Sequence, residues 1–274
     1  MELFGLMDNV AVIGAGVIGR AIVKSLLKKK YRGKITATRR RIEEIKDLEK
    51  IGATVSRNNK EAARSSEIIF ICVKPNDVEN VLKEISKEIE GKLVITTAAT
   101  LPLKFYKKII PKAKFIRTMP NVAVLVQEAF IAYSCDENVT LEDKKKAKEL
   151  FNLMGISEEV EEKYMDAITA LSGSGPGYIS IIVEALMYAG LRVGLPRDLA
   201  LYSSAQTVLG TGKLIVETME HPTKIKDMVT TPGGTTIEAI FELEGSQIRQ
   251  ALMKAVKEAT VKCQEIREKL VTNQ

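Results

Sequence analysis

One feature constrains this chain more than any other, a glycine turn between an aliphatic run and a helical pattern. Val10 to Ile13 reads as a strand, Gly14-Ala15-Gly16-Val17-Ile18-Gly19 follows it, and Val17 to Lys29 reads as a helix. The first glycine of such a motif permits a tight turn, the second lets the backbone approach a pyrophosphate, and the third allows close packing of helix on strand. The helix N-terminus then offers unpaired N–H groups and its positive dipole end to the phosphates. A glycine turn alone needs no ligand, but strand, turn and helix in this order point to a dinucleotide.

Further along, short aliphatic runs alternate with amphipathic charged stretches as far as about Val160. Strands are expected at Lys34 to Thr38, Glu67 to Val73, Lys92 to Thr96 and Lys114 to Thr118, and helices at Ile42 to Ile51, Pro75 to Ile89 and Leu141 to Met154. Strands buried between two helical layers read as unbroken apolar runs, as Ile68 to Val73 does. The pattern predicts an α/β, Rossmann-type doubly wound parallel sheet. From Lys163 the strand-like runs stop, and helices are expected at Tyr164 to Ala170, Tyr178 to Val193, Arg197 to Met219, Pro222 to Met228, Thr236 to Leu243 and Gln247 to Val271. The expectation is therefore a dinucleotide-binding domain over 1–162 and an all-α domain over 163–274. The helix around Ile179 to Met187 is apolar around most of its circumference, which predicts a homodimer through this half.

Composition narrows the partners. The 274 residues carry a formal charge of +6 with no Trp and 5% aromatic residues, too diffuse and too poor in stacking platforms for a nucleic-acid binder. No apolar run approaches the roughly 20 residues that span a bilayer. Cys72, Cys135 and Cys263 are widely spaced and odd in number, and Met1 to Met7 lack a cationic start, so a reducing cytoplasmic setting is expected. His221 is the sole histidine, so neither a metal site nor a serine nucleophile at Ser172 or Ser174 has support.

Candidate site residues fall in two groups. About 20 residues past the glycine motif, where a carboxylate would hold the ribose of NAD, stands Thr38-Arg39-Arg40-Arg41. Guanidiniums grip phosphate bidentately, so this loop favours the 2′-phosphate of NADPH, although a solvated basic turn would have the same composition. Ligands in such sheets bind beyond the strands' carboxyl ends, which places Val73-Lys74-Pro75, Ala98-Ala99 and Met119-Pro120-Asn121 along the crevice. Lys74 could equally be a surface lysine, and Pro75 suits the first turn of a helix. In the helical half, Thr230-Thr231-Pro232-Gly233-Gly234-Thr235-Thr236 leads into an apolar helix. Its clustered amides could hold a carboxylate and its hydroxyls could donate to a heteroatom, yet an ordinary capped helix would look the same.

Taken together, the glycine motif, Val73-Lys74-Pro75, Arg117 to Asn121, the Ser172 to Tyr178 segment and above all Lys226 to Thr236 make the chain resemble pyrroline-5-carboxylate reductase from about Val10 to Cys263. The resemblance implies NAD(P)H-dependent reduction of 1-pyrroline-5-carboxylate to L-proline, the last step of proline synthesis, by dimers that often assemble further. It implies that the loop Thr230 to Thr236 binds the substrate carboxylate, that Thr236 lies near the ring nitrogen, and that Thr38, Arg39, Arg40 and Asn59 approach the 2′-phosphate. NADPH is the expected cofactor, with NADH usable. The chain departs from the family pattern at Val122-Ala123, where Thr-Pro is usual, at Gly177, where Ala is common, and at Ala129, where Gly is common.

Reducing a C=N bond needs a hydride over the carbon and an electron-poor nitrogen, not a strong base. Positioning can carry most of the catalysis, since near-attack placement is worth roughly 7 to 11 kcal/mol. The nearest alternative, a β-hydroxyacid dehydrogenase, needs a base or proton shuttle, typically a lysine one turn into the helix after a Gly-Ser-Gly turn. Here apolar Ile179 stands four residues after Gly173-Ser174-Gly175. A catalytically silent NADP-binding regulator is the other alternative.

Overall fold

In the computed structural model, residues 7–272 are described. The reading of the first residues as free of a signal segment thus falls, for residues 1–6, outside them. The elements run β1 (Val10–Ile13), α1 (Val17–Lys28), β2 (Ile35–Thr38), β3 (Thr54–Ser56), α2 (Asn59–Arg64), β4 (Ile68–Ile71), α3 (Pro75–Ile85), β5 (Leu93–Thr96), α4 (Leu103–Ile109), β6 (Lys114–Met119), β7 (Ala129–Cys135), α5 (Leu141–Asn152) and β8 (Gly155–Glu159). They continue with α6 (Met165–Ile168), α7 (Gly175–Arg192), α8 (Arg197–Thr218), α9 (Pro222–Met228), α10 (Thr235–Glu244) and α11 (Ile248–Thr272).

The strands form one eight-stranded sheet in the order β3-β2-β1-β4-β5-β6-β7-β8. All neighbours are parallel except β6 and β7, which pair antiparallel, so β7 and β8 run against the rest. The order reverses between β1 and β4, the point at which such sheets open a ligand crevice. The sheet is covered on both faces, as its apolar strands require. Val10, Val12, Ile68 and Phe70 pack into one core with Ile22 and Leu26 of α1 and Phe151 of α5. Ala11, Ile13, Ile69 and Ile71 alternate into a second core with Val78 and Leu82 of α3 and Tyr106 of α4.

The chain divides into two compact units: through Ser174 together with the stretch from Ala259, and Gly175–Glu258. The sequence places the change of architecture near Lys163. The segment 165–173 is held to the first unit by polar contacts. Arg117, only 1% exposed on β6, donates to Glu162 at 2.9 Å, to the Ala99 carbonyl and to Asp166. Asp166 also takes Arg267 from the returning part of α11. The second unit is helical throughout, with α7 and α8 packed together where Gly190 meets Ala200. A Cβ at Gly190 would lie 2.9 Å from that of Ala200. No described helix is long and apolar enough to cross a membrane.

Candidate active site

The turn after β1 is built as the glycine spacing requires, and for three separate reasons. Gly14 has φ +89°, and a Cβ there would lie 2.5 Å from Val73 Cγ1 and 2.9 Å from the Val73 nitrogen. Only glycine fits both the left-handed backbone and the approach to β4. Gly19 is forbidden a side chain by packing, because its Cβ would meet the Gly14 carbonyl at 2.7 Å and Cys72 Cβ at 3.1 Å. Gly16 differs: an added Cβ would find nothing closer than the Gly14 oxygen at 4.0 Å. No side chain caps α1 and no acidic residue stands in its first turn, so among the described residues its N-terminal amides face a cradle that a Cβ at Gly16 would narrow.

Around this turn lies a cleft of about 520 Å³ that gathers Gly14, Gly16, Thr38, Arg39, Arg40, Asn59, Val73 and Lys74, residues drawn from three strand ends and three helix starts. Thr38 ends β2 and donates to Asn59 Oδ1 at 2.6 Å, while Arg39 donates to the Ala15 carbonyl at 2.9 Å across the glycine turn. Lys74 is the N-cap residue of α3 and Pro75 its first residue, as expected. Val17 is exposed and Ile18 half-buried on the first turn of α1.

Met119 ends β6, and Ala98 and Asn121 follow the carboxyl ends of β5 and β6, farther along the same edge of the sheet. Ala98 is buried, its N–H bound to Thr96 Oγ1. Asn121 accepts from the Ala123 N–H at 3.0 Å and donates to the Ser172 carbonyl at 3.0 Å, so Val122-Ala123 still forms a capped turn in place of Thr-Pro. Ala129 opens β7 directly across from Gly155, where an added Cβ would strike the Ala129 main chain, so the close approach constrains position 155 whatever side chain stands at 129.

The sequence reading missed the acidic wall of the cleft. Glu44, Asp77 and Glu84 all line it. Asp77, Val81 and Glu84 recur on α3 at helical spacing after Lys74-Pro75, a signal that was available in the sequence. Cys72 also lines the cleft, and burial pushes its thiol up to about 12, so no thiolate is present at neutral pH.

In the second unit, the loop before α10 is formed by Gly233 in the left-handed region at φ +66° and by Gly234, whose added Cβ would strike Thr231 Oγ1. Thr230 turns its hydroxyl back onto the Lys226 carbonyl at 2.7 Å and so shapes the loop. Gly234 is the N-cap of α10 and brings no side-chain cap. The hydroxyls of exposed Thr235 and half-buried Thr236 have no hydrogen-bond partner among the described residues. An uncapped helix start with two uncommitted hydroxyls is able to take a carboxylate and a further polar atom. Among the described residues no group of three or more His, Cys, Asp or Glu could hold a metal ion.

Comparison with known proteins decides the family. The chain is 39% identical over 273 residues to the pyrroline-5-carboxylate reductase of Methanosarcina acetivorans, covering 96% of this chain and 100% of that protein. This chain belongs to the pyrroline-5-carboxylate reductase family. The profile described as pyrroline-5-carboxylate reductase dimerisation matches residues 162–266, and one described as NADP oxidoreductase, coenzyme F420-dependent, matches residues 9–100. Among solved structures, a pyrroline-5-carboxylate reductase from Coxiella burnetii superposes with a TM-score of 0.88 at 30% identity, covering 95% of this chain and 98% of that one. A Plasmodium falciparum pyrroline carboxylate reductase with NADP bound superposes with a TM-score of 0.86 at 28% identity, covering 96% and 100%. This reductase thus carries its NADP-binding region in the first unit, where the glycine turn and its cleft lie.

Proposed function

We infer that this chain reduces 1-pyrroline-5-carboxylate to L-proline with NADPH, NADH being usable. The observation that carries the reading is the presence, in one chain of this family, of a dinucleotide cleft and of an uncapped α10 start with uncommitted hydroxyls at Thr235 and Thr236.

The cleft residues fit the cofactor. Gly16 leaves room for a pyrophosphate at the α1 amides, and Thr38, Arg39, Arg40 and Asn59 surround the place expected for the 2′-phosphate. Bound reduced dinucleotide supplies the hydride for the C=N carbon. The protein's own part is orientation and charge. The Gly234 N–H is held within the loop by the Thr231 carbonyl at 3.0 Å, so the Gly233 amide and those of the first turn of α10 fix the substrate carboxylate, with the positive end of the helix favouring its charge. Thr230 and Thr231 hold that loop in shape. Thr236 donates its hydroxyl to the ring nitrogen, or relays a proton to it as the nitrogen gains electrons. Hydrogen bonding to the charge that develops there lowers the barrier without a strong base. Ile179, 44% exposed and apolar, offers none of the proton transfer an alcohol oxidation would need.

The second unit is also the source of the assembly. Ile181 is 67% exposed, Tyr202 73% and Phe241 74%, far more apolar surface than a finished helical face leaves open. Together with the dimerisation profile this supports a homodimer formed through residues 163–274, on which higher assembly can build. Sedimentation as a dimer at micromolar concentration is the expected result, and a stable monomer would count against it. For the activity itself, the purified protein is expected to oxidise NADPH only after 1-pyrroline-5-carboxylate is added, with one proline formed per NADPH. Binding of NADPH without turnover would instead mark a regulator.

A further inference from the structure

The adenosine end of the cleft is close to electrically neutral. Arg39, Arg40, Arg41 and Lys74 bring four positive charges, and Glu44, Asp77 and Glu84 bring three negative ones. Each guanidinium already has a carboxylate partner: Arg39 and Arg41 bind Glu44, and Arg40 binds Asp77 at 3.3 Å. Asn59 donates to Glu84 at 2.9 Å through the amide whose oxygen takes the Thr38 hydroxyl. Asp77 and Glu84 stand two turns apart on one face of α3, and the groups they bind come from the loop after β2 and from the start of α2. Thus three of the residues expected to meet a 2′-phosphate, Arg39, Arg40 and Asn59, are bound to carboxylates of the same cleft.

We propose that Asp77 and Glu84 determine cofactor selectivity by competing with the 2′-phosphate for Arg40 and Asn59 and by repelling its charge, so that NADH stays usable. The proposal rests on the NADP reading above and goes beyond it by naming what limits the preference. The Arg40–Asp77 pair is open to water, with Arg40 85% exposed, so it exchanges readily and contributes little to stability. A phosphate carrying nearly two charges displaces it as the better bidentate partner. The displaced carboxylates nevertheless remain in the cleft and oppose that charge. A ribose 2′-hydroxyl is neutral, meets no such repulsion, and can donate to a carboxylate. Both residues thus act on the cofactor by their own charge and through the groups they hold, and neither takes part in the chemical step.

The test is calorimetric titration of the full-length protein with NADP+ and with NAD+, without substrate and at low ionic strength, where such charges are least screened. Asp77→Asn is expected to raise NADP+ affinity about three- to fivefold, and D77N/E84Q about tenfold, with NAD+ affinity unchanged or lower. In an R40A background the Asp77→Asn gain should shrink to the part due to repulsion alone, at most about half in logarithmic terms. Equal gains for both dinucleotides, or no gain for NADP+ in either variant, would overturn the proposal. Wild-type protein that binds neither dinucleotide would remove the cofactor reading itself and the proposal with it. Melting temperatures of the variants, expected to stay near the wild-type value, separate these outcomes from misfolding.

Discussion

Gly16→Val should leave the fold standing and weaken NADPH binding by about a hundredfold or more. The backbone at Gly16 has φ −77°, outside the left-handed region, and a Cβ there meets only the Gly14 oxygen, at 4.0 Å. Valine is a poorer N-cap than glycine, a cost of about 1 kcal/mol at most, so the melting temperature should fall by only a few degrees. The new methyl groups stand instead where a pyrophosphate must approach the α1 amides, and a loss of about 2.7 kcal/mol of binding is a hundredfold. Gly14→Ala offers the contrast. It forces a side chain onto a left-handed backbone and against the Val73 nitrogen, so folding and binding should fail together. Thermal melting alongside NADPH fluorescence titration separates the two. Gly16→Val with near wild-type affinity would mean that the phosphates bind elsewhere.

Thr236→Val should lower kcat about 10- to 100-fold while KM for the imine changes less than about threefold. Its hydroxyl has no partner among the described residues, so losing it breaks no internal bond and should not lower the melting temperature. A hydrogen bond to a charged group is worth about 1.5 to 3 kcal/mol. If the bond strengthens as the nitrogen takes up electrons and a proton, the loss appears in kcat rather than in KM. Thr236→Ser, which restores a hydroxyl at the same place, should recover most of the rate. Steady-state kinetics of the two variants read this directly, and unchanged kcat in the valine variant would remove Thr236 from the chemistry.

How far the sequence carries this account depends on how local each signal is. The strand, glycine turn and helix at Val10 to Lys28 form a contiguous pattern, and the roles of Gly14 and Gly19 follow from it almost atom by atom. β1, β4 and β5 are buried on both faces and announce themselves as aliphatic runs. β3 and β8 escape notice because they are the edges of the sheet. Thr54–Ser56 is three residues long, and Gly155–Glu159 ends in two exposed glutamates. β7 was hidden for another reason. It returns antiparallel beside β6 after only the short turn at Val122 to Val126, where an alternating strand–helix pattern predicts a crossover helix. Ile42 to Ile51, read as a helix, winds as a 3₁₀ segment.

At the site, Arg39 and Arg40 were legible as residue types, but their partners were not. Arg40 and Asp77 are far apart in sequence and meet only because β2 and α3 flank the same end of the sheet. The basic loop therefore suggests a stronger phosphate grip than the folded cleft presents. Thr230 illustrates the same limit in the other unit, since its hydroxyl turns back onto Lys226 and the resemblance alone gave no hint of that.

The most direct test of the central claim follows the hydride itself. With NADPH carrying deuterium at the transferable position of the nicotinamide, the purified protein and 1-pyrroline-5-carboxylate should yield L-proline with one deuterium on the ring carbon that was doubly bonded to nitrogen. Proline without that label, or no proline at all from protein shown to bind NADPH, would contradict the account.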